Sequence, residues 1–163
     1  MLVRKKMARA ARRGVKIKLV LAGISDVKLA KHAERYIYRW IFRNNIEVYE
    51  YKLSVLHAKI ATYDGKWATI GSYNVNNISA FASIELNLDV QEEIFAQSMQ
   101  QHIEQVIGED CERITEEDYR IRYNFLKRLY QQCCYQVIRI LFFLFTFYFK
   151  QRSFKTADAA KHR

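Results

Sequence analysis

Hydrophobic and polar positions change period several times along the chain, and each change marks an element. Residues 3–13 are rich in Ala, Lys and Arg, a helix-favouring mixture, and the run stops at Gly14, a residue suited to closing a helix. Val15, Ile17, Leu19 and Leu21 then alternate with Lys16 and Lys18, the period-two signature of a strand. Gly23-Ile24-Ser25-Asp26 interrupts, with Ser25 or Asp26 placed to cap a helix over 27–43. Asn44-Asn45 ends that helix, and 46–51 alternates as the next strand. A strand, helix, strand order needs a crossover between parallel strands, which predicts an α/β fold.

Two short β-type runs follow between 56 and 72, separated by Asp64-Gly65, a strong hairpin signal. Another alternating run covers 84–90. From 91 onward Phe95, Met99, Ile103 and Ile107 recur at spacings near four, as in a helix, before acidic residues gather over 109–118. The pattern predicts a folded module over 1–118 and a distinct tail over 119–163.

That tail reads as one helix to about residue 149, with Leu126, Tyr130, Cys133, Val137, Ile140 and Leu144 on one side and Arg128, Gln132 and Arg139 on another. Residues 133–149 are strongly apolar but hold Arg139 and number only 17, short of the roughly 20 clean residues a spanning helix needs. Flanked by Lys127, Arg128, Lys150, Arg152 and Lys155, the segment is expected to lie in a membrane interface, the alternative being an ordinary core helix packed on a missing partner.

Charge sharpens this picture. The chain has 163 residues, half of them hydrophobic, enough for one packed domain, and a formal net charge of +10. Residues 1–18 hold eight Lys/Arg and no acid, and 119–163 hold ten with one acid, so the basicity belongs to the two ends. Such ends point to an anionic surface, either membrane or nucleic acid. Three cysteines, Cys111, Cys133 and Cys134, are too few and too clustered for a disulfide framework, and no Cys/His spacing resembles a zinc site. The basic N-terminal stretch lacks the apolar run of a secretory signal, and a reducing, cytoplasmic setting is expected.

The chemistry gathers around the hairpin. His57 and Lys59, two apart in the strand ending at Tyr63, leave the same face, and the turn at Asp64 and Gly65 returns Ser72 and Asn74 toward them. An imidazole, an ammonium, a hydroxyl and an amide together suit a phosphodiester. Lys59 and Asn74 can neutralise and bond nonbridging oxygens, Ser72 can donate, and His57 can attack phosphorus or protonate the leaving oxygen. Glu85, charged within an apolar run, can orient an imidazole. Taken singly these are ordinary residues: a His beside a Lys on a strand is usually solvated, Asp-Gly is usually only a turn, and Glu85 can simply pair with a lysine.

Jointly, His57-Ala-Lys59-x4-Asp64-x6-Gly71-Ser72-x-Asn74 resembles the complete signature of the phospholipase D superfamily. Ala11-Arg12-Arg13-Gly14-Val15, the Ser25-Asp26 loop, 46–51 and Glu85-Leu86-Asn87-Leu88 extend the resemblance to the C-terminal half of bacterial cardiolipin synthases, over roughly 8–107. The resemblance implies a half-domain with a mixed β-sheet flanked by helices, here opening without the strand that usually leads it and followed by the apolar and basic tail. It implies a phosphatidyltransferase passing phosphatidyl to an alcohol through a phosphohistidine, with His57, Lys59 and Asp64 catalytic, Ser72 and Asn74 on the phosphate, and Glu85 in support. His57 resembles the acid/base member of the histidine pair. No metal or other cofactor is implied, because Lys59, Ser72 and Asn74 carry the charge work. Where these synthases continue with Asp and Arg, this chain has Asn76 and Ile78.

The expected partners are an anionic phospholipid substrate, a membrane surface on the cytoplasmic side, and a second His-Lys-Asp half supplied by an N-terminal half or a homodimer mate. Nucleic acid fits the massed Phe-rich tail poorly. The rival readings are a single-motif homodimeric nuclease and an inactive membrane-associated fragment.

Overall fold

The computed structural model describes residues 2–74 and 84–161. Helix α1 (Leu2–Arg12) ends as its sequence predicts: Gly14 sits at φ 92°, and Val15 N–H donates back to Ala10 C=O at 3.2 Å. Strand β1 (Lys18–Ile24) follows, then α2 (Lys28–Tyr36) and α3 (Tyr38–Arg43). The single helix expected over 27–43 is therefore two. Ile37 ends one and opens the other, its N–H turning back to Glu34 C=O at 2.9 Å. The break seats Tyr38 and Ile41 in the core, where both are almost fully buried.

Asn45, at φ 53°, turns the chain into β2 (Glu47–Val55), which runs parallel to β1 with Lys18 opposite Glu47 and Leu21 opposite Glu50. The crossover predicted from element order is thus present. After β2 come β3 (Ile60–Tyr63), β4 (Trp67–Gly71) and β5 (Asn87–Val90), then α4 (Glu93–Asp110), whose N-terminus is capped by the Glu92 carboxylate at 2.9 Å from Ile94 N and 2.6 Å from Phe95 N. The expected mixed sheet is divided between two three-stranded sheets. One has the order β1-β2-β6, with β6 (Cys111–Ile114) antiparallel to β2, and the other is the antiparallel β3-β4-β5. Helix α4 touches strands of both sheets.

The core joins Tyr38 and Ile41 of α3 to Ile46, Val48 of β2, Ile114 of β6 and Tyr119 of α5 (Glu116–Arg122). Burying side chains of this size contributes roughly 1.5–3 kcal/mol each. Packing therefore continues past Asp118. Tyr119 donates its hydroxyl to Gln131 Oε1 at 2.6 Å, and Gln131 is buried on α6 (Phe125–Lys161). Helix α6 lies along α2, with Tyr135 against Tyr36 and Tyr130 against His32. Its inward side carries Gln131 and Cys134. The apolar row predicted from the sequence faces outward, with Leu126 70%, Val137 46%, Ile140 57% and Leu144 54% exposed. Among the described residues, no helix is long and apolar enough to cross a membrane.

One charge occupies a core position. Glu50 follows Ile46 and Val48 on the inner face of β2 and is 2% exposed. It accepts from Tyr38 Oη at 2.8 Å and from Arg35 Nε and Nη2 at 3.3 Å each, with Lys31 Nζ at 3.3 Å. Burial alone would raise its carboxyl, but the Arg35 hydrogen bonds, the Lys31 charge and the Tyr38 hydroxyl together hold it at about 2. Lys31 also meets the Ala22 carbonyl, so the cluster ties α2 to both parallel strands.

Candidate active site

The hairpin that carries the site forms for local reasons. Asp64 and Gly65 both take positive φ, 46° and 62°, and Lys66 N–H closes the turn on Tyr63 C=O at 2.9 Å. Two successive left-handed residues suit the right-handed twist of the flanking strands, and Asp and Gly tolerate them best. The returning ladder pairs Ile60 with Ile70 and Tyr63 with Trp67.

This geometry separates the predicted residues into two places. Asp64 stands at the hairpin tip, five residues from Lys59 along an extended chain, or about 15 Å. It shapes the turn and does not join the other groups. His57 and Lys59 lie at the opposite end, in an extended link just before β3 rather than within the strand expected to hold them. Lys59 C=O accepts from Gly71 N–H at 3.0 Å, and Gly71 pairs with Asn87 on β5. Lys59, Gly71 and Asn87 therefore form one cross-strand row, with His57 two residues before it and Ser72 and Asn74 directly after it.

Ser72 is held on both sides. Its N–H donates to Leu86 C=O at 3.0 Å, its Oγ accepts from Leu86 N–H at 3.0 Å, and its hydroxyl proton is directed at Glu85 Oε2, 2.5 Å away. The carboxylate expected to orient an imidazole is thus placed against the serine. Lys59 Nζ reaches the His57 carbonyl at a long 3.4 Å. His57, Ser72 and Asn74 are exposed and Lys59 half-buried, so the cluster opens outward, bordered by exposed Leu53, Val55, Ile60, Leu86 and Leu88.

Two positions that support the site are not evident from residue type alone. Asn87 Oδ1 accepts from Tyr73 N–H at 3.2 Å, fixing the backbone between Ser72 and Asn74. Gly71 is needed for that approach: a Cβ there would fall 2.1 Å from Asn87 Oδ1 and 2.4 Å from Leu86 O. The available signal was the two-residue spacing of Glu85 and Asn87. Asn76 and Ile78 lie outside the described residues.

Among the described residues, no group of three His, Cys, Asp or Glu is arranged to hold a metal ion. The other described histidines are elsewhere. His32 sits on α2 with its ring edge-on to Tyr130, its pKa lowered by burial and by nearby Arg35, and His102 is on α4.

Comparison with known proteins gives the same family as the motif. Residues 2–107 match the family model described as "Cardiolipin synthase, PLD-like domain". Over 110 residues the chain is 36% identical to cardiolipin synthase B of Salmonella typhi and 33% identical to cardiolipin synthase B of Escherichia coli K12, covering 68% of this chain and 27% of each relative. It is 28% identical over 90 residues to cardiolipin synthase A of Buchnera aphidicola, covering 55% of this chain and 18% of the relative. The chain thus spans about a quarter of the length of the cardiolipin synthase B relatives it matches. With His57, Lys59, Ser72 and Asn74 at one end of the β3-β4 hairpin and nearly two-thirds of its length matched, the chain belongs to the phospholipase D superfamily, in its cardiolipin synthase branch.

Proposed function

We propose that this chain supplies one half of a phosphatidyltransferase centre, in which a phosphatidyl group passes through a phosphohistidine to an alcohol. The observation that carries the reading is the row that brings Lys59 beside Gly71 and Ser72, with His57 exposed at its end. Transfer needs an imidazole to attack phosphorus and a proton donor on the far side for the leaving oxygen. In the first step the P–O bond to the leaving alcohol breaks as a P–N bond forms, and the proton goes to that oxygen. In the second step the acceptor hydroxyl attacks phosphorus, the P–N bond breaks, and the imidazole that gave the proton takes one back.

His57 fits the acid/base member. Lys59 offsets charge developing on a nonbridging oxygen, and Asn74 adds an amide donor. Ser72, its proton held by Glu85, serves the phosphate by turning that hydroxyl outward or by fixing the backbone on which Asn74 sits.

The second imidazole must come from outside this motif. His32 on α2 and His102 on α4 belong to no second copy of the motif, and His162 lies outside the described residues. A separately supplied half, with its own His and Lys, would complete the centre. The exposed apolar rim around His57 gives such a half, or a lipid, a surface to cover.

The tail fits a bilayer surface. The outward row of α6 leaves Val137, Ile140 and Leu144 uncovered, and Lys127, Arg128 and Arg139 lie along the same helix. We assign it to the cytoplasmic face, a setting that suits the free thiols of Cys111, Cys133 and Cys134. Sizing the purified chain by light scattering, with phosphatidylglycerol turnover assayed in the same fractions, tests the scheme. The expected result is no turnover by a monomer and turnover once a second motif is added. An active monomer would overturn the two-imidazole requirement.

A further inference from the structure

Helix α1 is not used by the chemistry above, yet it carries five Lys/Arg and no acid in eleven residues. Lys5, Arg9 and Arg12 fall at i, i+4 and i+7, a row about 10 Å long on one side of the helix. They border an open cavity of about 600 Å³ between α1 and α3, with Arg4, Trp40 and Asn44 completing its wall. Arg9 also lines a second cavity on the other side of α1, with Lys6 and Arg13.

No acid occurs in α1, and among the described residues no ion pair involves Lys5, Arg9 or Arg12. Like charges at i, i+4 repel on a helix, so the row is an uncompensated concentration of cations. The groove's remaining cation, Arg4, is held in place. Arg4 lies over the Trp40 ring at 5.7 Å and donates to Tyr135 Oη at 3.2 Å.

That last contact places the start of α1 beside α6 at Tyr135, and further along the same helix Ile140 and Leu141 are exposed. A chain that offers both unpaired cations and an uncovered apolar helix matches a bilayer, which presents phosphate to one and hydrocarbon to the other. A nucleic acid would leave the apolar row in water. Among the groove's lining residues Trp40 is the aromatic one, and Arg4 stands over one of its faces.

We propose that the groove along α1 is a headgroup site that binds the phosphate of anionic lipids in the bilayer, separate from the lipid that reacts at His57. It orients the half-domain on the surface while α6 supplies the apolar contact. The proposal rests on the reading of α6 as a surface helix.

The test uses the full chain and a Lys5→Gln/Arg9→Gln/Arg12→Gln variant, with partition measured onto phosphatidylglycerol/phosphatidylcholine vesicles and onto phosphatidylcholine vesicles. Glutamine is a good helix former, so α1 is expected to persist. Three surface cations should together be worth a fall of about 100-fold on anionic vesicles, with binding to neutral vesicles unchanged. Wild-type binding to anionic vesicles should weaken with added salt, a readout that does not depend on the variant folding.

A variant that binds anionic vesicles as the wild type does overturns the headgroup site while leaving the surface helix standing. Wild-type protein that binds neither vesicle overturns the surface helix and the site together. Release from vesicles by inorganic phosphate, but not by chloride at equal ionic strength, makes this a free-phosphate site and overturns the lipid assignment. So does a single-stranded oligonucleotide whose binding is lost in the variant while vesicle binding survives.

Discussion

Replacing Glu50 with Gln removes one negative charge from a core position without changing its shape. The carboxylate is 2% exposed and faces Arg35, Lys31 and the Tyr38 hydroxyl, so the variant leaves Lys31, itself 8% exposed, and Arg35 without their shared countercharge. Lys31 keeps Glu34 at 2.7 Å, which softens the loss. Breaking a buried pair from one side costs about 3–5 kcal/mol. Linkage gives a similar figure: a carboxyl at about 2 against 4.5 when unperturbed corresponds to about 3 kcal/mol.

Because the folded-state value is depressed, this stability is fully present above about pH 4.5 and is lost as pH falls toward 2. Urea unfolding followed by circular dichroism should show the variant about 3 kcal/mol less stable at pH 7, with the gap narrowing below pH 4. A loss under about 1 kcal/mol, with wild-type acid sensitivity retained, would refute the reasoning. The effect matters for the site because β2 leads from Glu50 to within two residues of His57.

Gly71→Ala forces a Cβ against Asn87 and Leu86, so β4 and β5 must part; unfolding should show a loss of about 1–3 kcal/mol, and turnover by the complete assembly should drop about 100-fold as Ser72 shifts by about 1 Å. Asp64→Asn should leave turnover near wild type, since Asn also accepts the left-handed turn, whereas Asp64→Ala should cost about 1 kcal/mol in stability with turnover again little changed. A large loss of turnover in Asp64→Asn at unchanged stability would return that carboxylate to the chemistry.

What the sequence disclosed and what it concealed divide along the range of the interactions. Asp64-Gly65 predicts its hairpin because left-handed backbone is a local requirement, and β1 and β2 show in the alternation of their own side chains. The motif residues, Gly71 among them, were legible by type and spacing, but the contacts that hold them were not. Gly71 and Asn87 become partners only once β4 and β5 are in register. Strand β6 has four residues, only Ile114 of them fully buried, and exists through pairing with β2; in sequence it merges with an acidic stretch.

Helix α6 misleads in another way. It is apolar on most sides, so periodicity does not say which side packs. The inward face carries Gln131, which accepts from the buried Tyr119 hydroxyl, and Cys134, buried on a helix that lies along α2.

The proposed part of His57 in phosphatidyl transfer is decided by joining this chain to a second motif-bearing half, supplying phosphatidylglycerol labelled in its phosphatidyl group, and comparing the wild type with His57→Ala. The wild type should pass label to an acceptor alcohol and the variant should do so about 10⁴-fold or more slowly, because one imidazole cannot serve on both sides of phosphorus. Transfer by His57→Ala at the wild-type rate would contradict it.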